Sequence, residues 1–155
     1  MPDIASRPNS VPWPPIIFLG MLISAGVLDR AMPLQLSVGV VGEVTGWALV
    51  AAALLLMGWS FITFRARNSN ILPHRAADSL IADGPFTLSR NPIYLSEAML
   101  LLGLGLTNNS VWHLLASIAF ILLITPLAIL REEAHMQARF GAEWDAYASK
   151  VRRWL

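Results

Sequence analysis

Two groups of polar residues lie at the ends of long apolar segments in this sequence. The first group contains Arg90, Asn91 and Tyr94, and the second contains Glu132 and Glu133. Because a charged side chain in lipid hydrocarbon costs several kcal/mol, an apolar chain keeps charges where they meet polar partners or ligands. The two groups supply a guanidinium, an amide, a phenol and carboxylates, which are groups suited to binding a polar ligand at a membrane edge.

The first group falls where a helix is predicted to begin, at Pro92. Backbone N–H groups at a helix start are unpaired and carry positive partial charge, so they can hold a carboxylate together with Arg90. Tyr94 projects from the first turn, where its ring can pack on a flat or cationic ligand. The alternative is that Arg90 anchors the membrane face, Asn91 caps the helix and Tyr94 is an interface aromatic.

Three carboxylates are further candidates. Glu97 lies three residues past Tyr94, on the same helix face and inside an apolar segment, where an acid is a functional hypothesis by default. The alternative is a buried acid that bonds to a neighbouring helix. Glu132 and Glu133 point about 100° apart on a helix, so one is expected to face the site and the other solvent. A carboxylate there could hold an ammonium group or two ribose hydroxyls, or both could lie on a solvated helix start.

The composition bounds the fold class. The chain has 155 residues, of which 55% are hydrophobic and 14% charged, whereas soluble domains have about 25% charged residues. We therefore predict an all-α, polytopic membrane bundle that forms one domain over residues 1–155. With no cysteine and no histidine-rich motif, no metal site is expected. The net charge of +1 and the lack of aromatic-basic interleaving favour no nucleic-acid partner.

About four transmembrane segments are predicted, at residues 16–28, 44–64, 92–106 and 111–130. The second has about 21 residues, or about 32 Å as a helix, enough to cross the hydrocarbon core. Gly42, just before this segment, and Gly46 form a small-xxx-small pair that favours close helix contact. The third is short, so it should form a tight hairpin with the fourth, which Pro126 is expected to kink. Residues 68–90 are predicted to form turns and an ordered loop.

The C-terminal tail, residues 131–154, is predicted to be an amphipathic helix that Gly141 interrupts or bends. Its apolar residues recur at steps of three and four: Met136, Phe140, Trp144, Tyr147 and Val151. Such a helix can lie on the bilayer surface or cap the bundle.

Basic residues predict the orientation. With four spans, Arg30 is the one residue of the 11 Lys and Arg that falls on the face away from both termini. The positive-inside rule then places the N- and C-termini, and both polar groups, in the cytoplasm.

Two motifs resemble the isoprenylcysteine carboxyl methyltransferase and phospholipid methyltransferase superfamily. The first is Gly84-Pro85-Phe86 followed by Ser89-Arg90-Asn91-Pro92-x-Tyr94. The second is Glu132-Glu133 followed by Phe140-Gly141-x-Glu143-Trp144-x-x-Tyr147-x-x-x-Val151-x-Arg153. The similarity covers residues 68 to the C-terminus, whereas the first 67 residues, with two spans, match only in being hydrophobic. Many members have histidine where this chain has Asn91, which cannot titrate near neutral pH, so a positioning role is expected there.

The resemblance implies an integral membrane enzyme that uses S-adenosylmethionine, bound at the cytoplasmic face between the hairpin start and the tail. The residues that should line the cofactor site are Arg90, Asn91, Pro92, Tyr94, Glu132, Glu133 and Tyr147. Arg90 and Glu97 are the catalytic candidates. The implied reaction is methyl transfer to a lipophilic acceptor from the bilayer, either a prenyl-type carboxylate or a lipid amine. Two alternatives stay open: an NADPH-dependent membrane reductase, and a non-catalytic membrane interaction protein.

Overall fold

The computed structural model describes residues 13–67 and 79–155. Predictions about the N-terminal tail and about residues 68–78 of the predicted loop therefore fall outside the described residues.

The described residues form helices and connecting turns, which confirms the all-α prediction. The α-helices are α1 (Trp13–Ala31), α2 (Gly39–Ala66), α3 (Pro92–Thr107), α4 (Val111–Ile124), α5 (Leu130–Phe140) and α6 (Ala142–Ala148). A short 3-10 helix, Gly84–Thr87, precedes α3, and a π-helical turn, Thr125–Ile129, joins α4 to α5.

Three helical stretches are long and apolar enough to cross a membrane. They are Trp13–Ala31 with 19 residues, Gly39–Ala66 with 28, and Val111–Phe140 with 30, which comprises α4, the π turn and α5. The helix α3 is apolar but shorter. Each of the four predicted apolar segments is therefore helical.

The predicted fourth span and the first part of the predicted helical tail form one helical stretch, which runs past residue 130 as far as Phe140. No helix-breaking residue lies between Leu130 and Phe140, so the backbone continues although the side chains change from apolar to polar. The predicted interruption at Gly141 is confirmed, since this residue has a φ of +49° and separates α5 from α6. The predicted irregularity at Pro126 is present as the π turn.

The hairpin of α3 and α4 packs against the other two helices, with α2 on α3 and α1 on α4. The crossing of α2 and α3 is close because two glycines meet there: a Cβ at Gly46 would lie 2.8 Å from the carbonyl oxygen of Gly103. Gly46 thus makes the helix contact that its small-xxx-small pattern predicted. A Cβ at Gly42 would instead meet Val38, one turn earlier in the chain.

Two apolar clusters stabilise this arrangement. The larger lies inside the bundle and includes the fully buried Leu101, Phe120 and Ile124. The smaller joins the loop before α3 to the tail and is centred on four buried residues: Ile81, Phe86, Trp144 and Tyr147. Met136, Phe140 and Val151 pack against it, so the apolar stripe predicted for the tail faces the protein and caps one end of the bundle.

Candidate functional site

The C-terminal tail is hydrogen-bonded to the residues that begin α3. The backbone N–H of Arg90 donates to the carbonyl oxygen of Arg152 at 3.0 Å. The side-chain amide of Asn91 and the hydroxyl of Ser89 both donate to the carbonyl oxygen of Arg153, at 2.9 and 3.2 Å. The Ser89 hydroxyl also accepts the backbone N–H of Asn91 at 3.1 Å. Two segments more than 60 residues apart in sequence therefore meet at one end of the bundle.

Asn91 and Pro92 begin α3 in different ways. Pro92 is buried in the first turn, where its missing N–H costs nothing. Asn91 occupies the position before it, but its side chain makes no capping hydrogen bond and is directed to Arg153 instead. The interpretation of Asn91 as a side-chain cap is therefore wrong, and its amide holds the tail.

Glu133 binds two arginines. Arg153 donates from Nε to Oε1 at 3.0 Å and from Nη2 to Oε2 at 2.7 Å, which is a bidentate pair. Arg90 approaches Oε1 with Nη1 at 3.3 Å, and its guanidinium lies 5.8 Å from the ring centre of Trp144. The hydrogen bonds that Arg153 donates to Glu133 raise the pKa of Arg153 above its ordinary value.

Glu132 binds Tyr94, whose hydroxyl donates to Oε1 at 2.7 Å. Both adjacent glutamates are thus engaged with the site, and the expectation that one of them meets solvent is wrong. The tail folds over this part of α5, so positions about 100° apart are both covered. Tyr94 is 9% exposed, and the interpretation of it as an interface aromatic is therefore wrong as well.

Glu97 lies one turn beyond Tyr94 and is buried. Its carboxylate is close enough to that of Glu132 for the two to repel each other electrostatically when both are charged. Among the described residues, its Oε2 has no hydrogen-bond partner, and the same holds for Nε of Arg90. A buried acceptor and a buried donor are therefore both available within this cluster.

Tyr147 lies beside the cluster rather than within it. Its hydroxyl donates to the carbonyl oxygen of Phe86 at 2.8 Å, so this bond joins α6 to the 3-10 helix. Burial raises the pKa of Tyr147 to about 12, although the nearby positive charge of Arg90 opposes that shift. Its predicted contact with a cofactor stays a prediction.

A groove of about 370 Å³ runs past Tyr147 on the outer side of the tail, between Leu80, Thr87, Ala146 and Lys150. Of the predicted site residues, Tyr147 alone lines it. The groove is therefore separate from the cluster of Arg90, Tyr94 and the glutamates.

The prediction omitted Arg153, Ser89 and Trp144 as members of the site. Arg153 ends the second sequence motif and Ser89 belongs to the first, so their positions carried a signal that was present in the residues. Trp144 also belongs to the second motif, although its expected role was to form part of the apolar stripe of the tail. Within residues 13–67 and 79–155, no three His, Cys, Asp or Glu residues are grouped to hold a metal ion.

Two curated relatives share parts of this sequence. One is an uncharacterized protein of Haemophilus influenzae, which is 45% identical over 65 residues, or 41% of this chain and 100% of that protein. The other is the nickel-cobalt-cadmium resistance protein NccN of Alcaligenes xylosoxydans xylosoxydans, which is 28% identical over 106 residues. That match covers 66% of this chain and 49% of NccN, so the chain spans about half the length of that relative.

No solved structure matches the chain. The sequence does match the phospholipid methyltransferase family over residues 41–143, which extends from α2 into α6 and contains Arg90, Tyr94 and both glutamates of the cluster. This membership supports a membrane methyltransferase. The chain belongs to the phospholipid methyltransferase family.

Proposed function

We propose that this protein transfers a methyl group from S-adenosylmethionine to a lipophilic acceptor that enters from the bilayer. One observation carries the proposal: the tail closes over the start of α3, and this brings Arg90, Tyr94, Glu132 and Glu133 into one cluster, in which Tyr94 is buried and the charged residues are half-buried. Removing charged groups from water costs free energy, so a cluster of charged residues that is shielded from solvent is a candidate binding site.

The residues fit the proposed cofactor in charge and in hydrogen bonding. The amino-acid end of S-adenosylmethionine carries a carboxylate and an ammonium group, which need a donor and an acceptor. The buried Nε of Arg90 is a donor and the buried Oε2 of Glu97 is an acceptor, and both lack a partner among the described residues. We therefore assign Arg90 to the carboxylate. The ammonium group is assigned to Glu132, or to Glu97 if the acceptor is a carboxylate that needs no base.

When bound, S-adenosylmethionine supplies a methyl group that needs no further activation. The remaining contribution of the protein is to hold the reactants in line and to exclude water. Tyr94 and Glu132, which are fixed to each other by a 2.7 Å hydrogen bond, provide a rigid wall for this purpose. Asn91 and Ser89 keep the tail in place through the Arg153 carbonyl.

The acceptor class decides the role of Glu97. A carboxylate acceptor is already ionised near neutral pH and needs no base. An amine acceptor must lose a proton before or during transfer, and Glu97 is then the candidate base because its Oε2 is free of hydrogen bonds within the described part of the chain.

We further propose that both termini and the cluster lie in the cytoplasm. Arg65, Arg67, Arg90 and Arg153 belong to the end of the bundle that holds the cluster, whereas Arg30 lies in the last turn of α1. This distribution follows the positive-inside rule.

Calorimetric titration of the detergent-purified protein with S-adenosylhomocysteine tests the cofactor. We expect heat of binding, which should be lost in Arg90→Ala and Glu133→Ala variants that remain folded. NADPH titrated in parallel tests the reductase alternative, and binding of NADPH in place of S-adenosylhomocysteine would contradict the proposal.

Incubation of membranes with radiolabelled S-adenosylmethionine tests the acceptor. Label should enter a lipid-extractable species when the wild-type protein is present, and its identification would decide between a carboxylate and an amine. A Tyr94→Ala and Glu133→Ala double variant that assembles normally and leaves labelling and phenotype unchanged would favour the non-catalytic alternative.

A further inference from the structure

The helix that carries the two glutamates has a widened turn at its middle. The N–H of Leu130 donates to the carbonyl oxygen of Thr125, five residues earlier, instead of the four residues that define an α-helix. Pro126 has no N–H to donate, and the Thr125 hydroxyl donates to the carbonyl oxygen of Ile121 at 2.7 Å. Such a π turn holds one residue more than an α-helical turn would.

This extra residue changes which side chains face the protein beyond the turn. Before the turn, Phe120 and Ile124 are fully buried. A straight α-helix repeats its face after about seven residues, so Arg131 and Ala138 would follow Ile124 toward the core. Both residues are exposed in the structure. Glu132, which comes eight residues after Ile124, faces inward instead and accepts the Tyr94 hydroxyl.

We propose that the π turn Thr125–Ile129 is a positioning element that brings Glu132 and Glu133 into register with the start of α3. If residues 125–129 formed an α-helical turn instead of a π turn, α5 would be rotated by about 100° about its axis. Arg131 would then replace Glu132 opposite Tyr94, and Glu133 would turn away from Arg90. The geometric part of this inference stands on the contacts alone, whereas its consequence for methyl-donor binding rests on the proposed function.

A one-residue deletion in this turn should affect the rotation of α5 differently from a deletion in a straight helix. Deleting one residue from a straight transmembrane helix rotates everything beyond it by about 100°. Deleting Pro126, which is exposed, should instead convert the π turn into an α-helical turn. Glu132 would then be the seventh residue after Ile124, so it would stay on the helix face that it occupies in the natural chain. Inserting one alanine after Pro126 adds a residue that the turn cannot absorb, and it should rotate α5.

Single-cysteine labelling measures the rotation directly, because the natural chain has no cysteine. Ala134 is exposed and Met136 packs against the apolar cluster of the tail. In the natural background and in the Pro126 deletion, Ala134→Cys should react quickly with a polar maleimide and Met136→Cys slowly. In the alanine insertion the order should reverse.

Titration with S-adenosylhomocysteine measures the functional consequence. The Pro126 deletion should bind within about threefold of the natural chain, and the insertion should bind at least about tenfold more weakly, a difference of at least about 1.4 kcal/mol between wild type and insertion. Reversed labelling in the deletion, or equal labelling patterns in deletion and insertion, would overturn the inference. If the natural chain binds no S-adenosylhomocysteine, the proposed function fails, and the labelling still decides whether the turn sets the register. If the deletion variant does not fold, the insertion variant provides the test. An insertion variant that keeps the natural labelling order and still binds S-adenosylhomocysteine would contradict the role of the turn.

Discussion

The hydroxyl of Tyr94 donates a 2.7 Å hydrogen bond to Glu132, and this bond joins the first turn of α3 to α5 across 38 residues of sequence. Tyr94 is buried, so neither partner can exchange the bond freely for one to water. The contact fixes the tail against the bundle and forms one wall of the proposed cofactor site.

Removing this hydroxyl should weaken both the fold and ligand binding. In Tyr94→Phe the half-buried Glu132 loses its donor, which we expect to cost about 1–3 kcal/mol of unfolding free energy. Thermal unfolding in detergent and titration with S-adenosylhomocysteine measure the two effects. Ser117→Ala is the control, because it also removes one buried hydroxyl donor, which bonds to the carbonyl oxygen of Ala98 outside the cluster. Equal loss of binding in both variants would contradict the assignment of Tyr94 to the site.

The half-buried ion cluster of Glu133, Arg90 and Arg153 should contribute more to the free energy of unfolding than an exposed ion pair does. Glu133→Gln removes the charge that Arg153 and Arg90 share, and we expect a loss of about 1–3 kcal/mol in unfolding free energy. The exposed pair of Arg67 and Asp83 provides the control, and Asp83→Asn should leave the unfolding temperature nearly unchanged. Similar losses in the two variants would mean that Glu133 is not protected from solvent.

The crossing of α2 and α3 should not tolerate a methyl group. A Cβ at Gly103 would lie 2.8 Å from Cγ2 of Val50 and 2.9 Å from the carbonyl oxygen of Gly46. We expect Gly103→Ala to force the helices apart and to cost about 1–3 kcal/mol. A Cβ at Gly58, also in a helix, would meet nothing within 4 Å, so Gly58→Ala should unfold at an equal or higher temperature. Chemical denaturation in mixed micelles compares the two, and the same stability for both would be inconsistent with the close crossing.

Replacing Glu97 by an apolar residue should increase the stability of the protein and abolish its methyl transfer. Replacing it by leucine removes a buried oxygen that lacks a hydrogen-bond partner within the described residues, so Glu97→Leu should unfold at a higher temperature. The same variant should lose methyl transfer to membrane lipid. Glu97→Gln, which keeps the shape, should also lose transfer to an amine but should keep it for a carboxylate acceptor. A lower unfolding temperature in Glu97→Leu would favour a purely structural acid that is bonded to a neighbouring helix.

The hydroxyl of Tyr147 should stay protonated at pH values above the ordinary tyrosine pKa of 10.0. The chain has two tyrosines, so absorbance titration of the Tyr94→Phe variant reports Tyr147 alone. Burial raises its pKa from 10.0 to about 12 in the folded protein. Since the pKa is higher when folded, this contribution to stability is complete below pH 10 and is lost as the pH rises toward about 12. A titration midpoint near 10 while the protein is still folded would show that the Tyr147 hydroxyl is not shielded from water.

Much of the fold follows from the sequence because lipid restricts the choices of the chain. Long uncharged runs can cross a membrane only as helices or closed barrels, and the four predicted runs are helical. The break at Gly141 and the irregularity at Pro126 were also predictable, since glycine and proline act on the backbone locally. The two motifs were sufficient to place Arg90, Tyr94 and the glutamates in one family pattern before any contact was known.

The partners of those residues depended on the tertiary structure. The sequence could not show that Asn91 donates to the Arg153 carbonyl oxygen without accepting a capping hydrogen bond from α3, because an amide side chain can do either. Nor could it show that Glu132 and Glu133 are both covered, since helix periodicity alone turns one of them away.

The sequence by itself determined where the helices lie and which residue types meet at the membrane edge, because burial of apolar length and local backbone chemistry decide these matters. Only the tertiary structure decided which carboxylate meets Tyr94 and which meets the arginines. The rotation of α5 depends on one residue absorbed in the Thr125–Ile129 turn, and that rotation is fixed by packing between segments that are far apart in the chain.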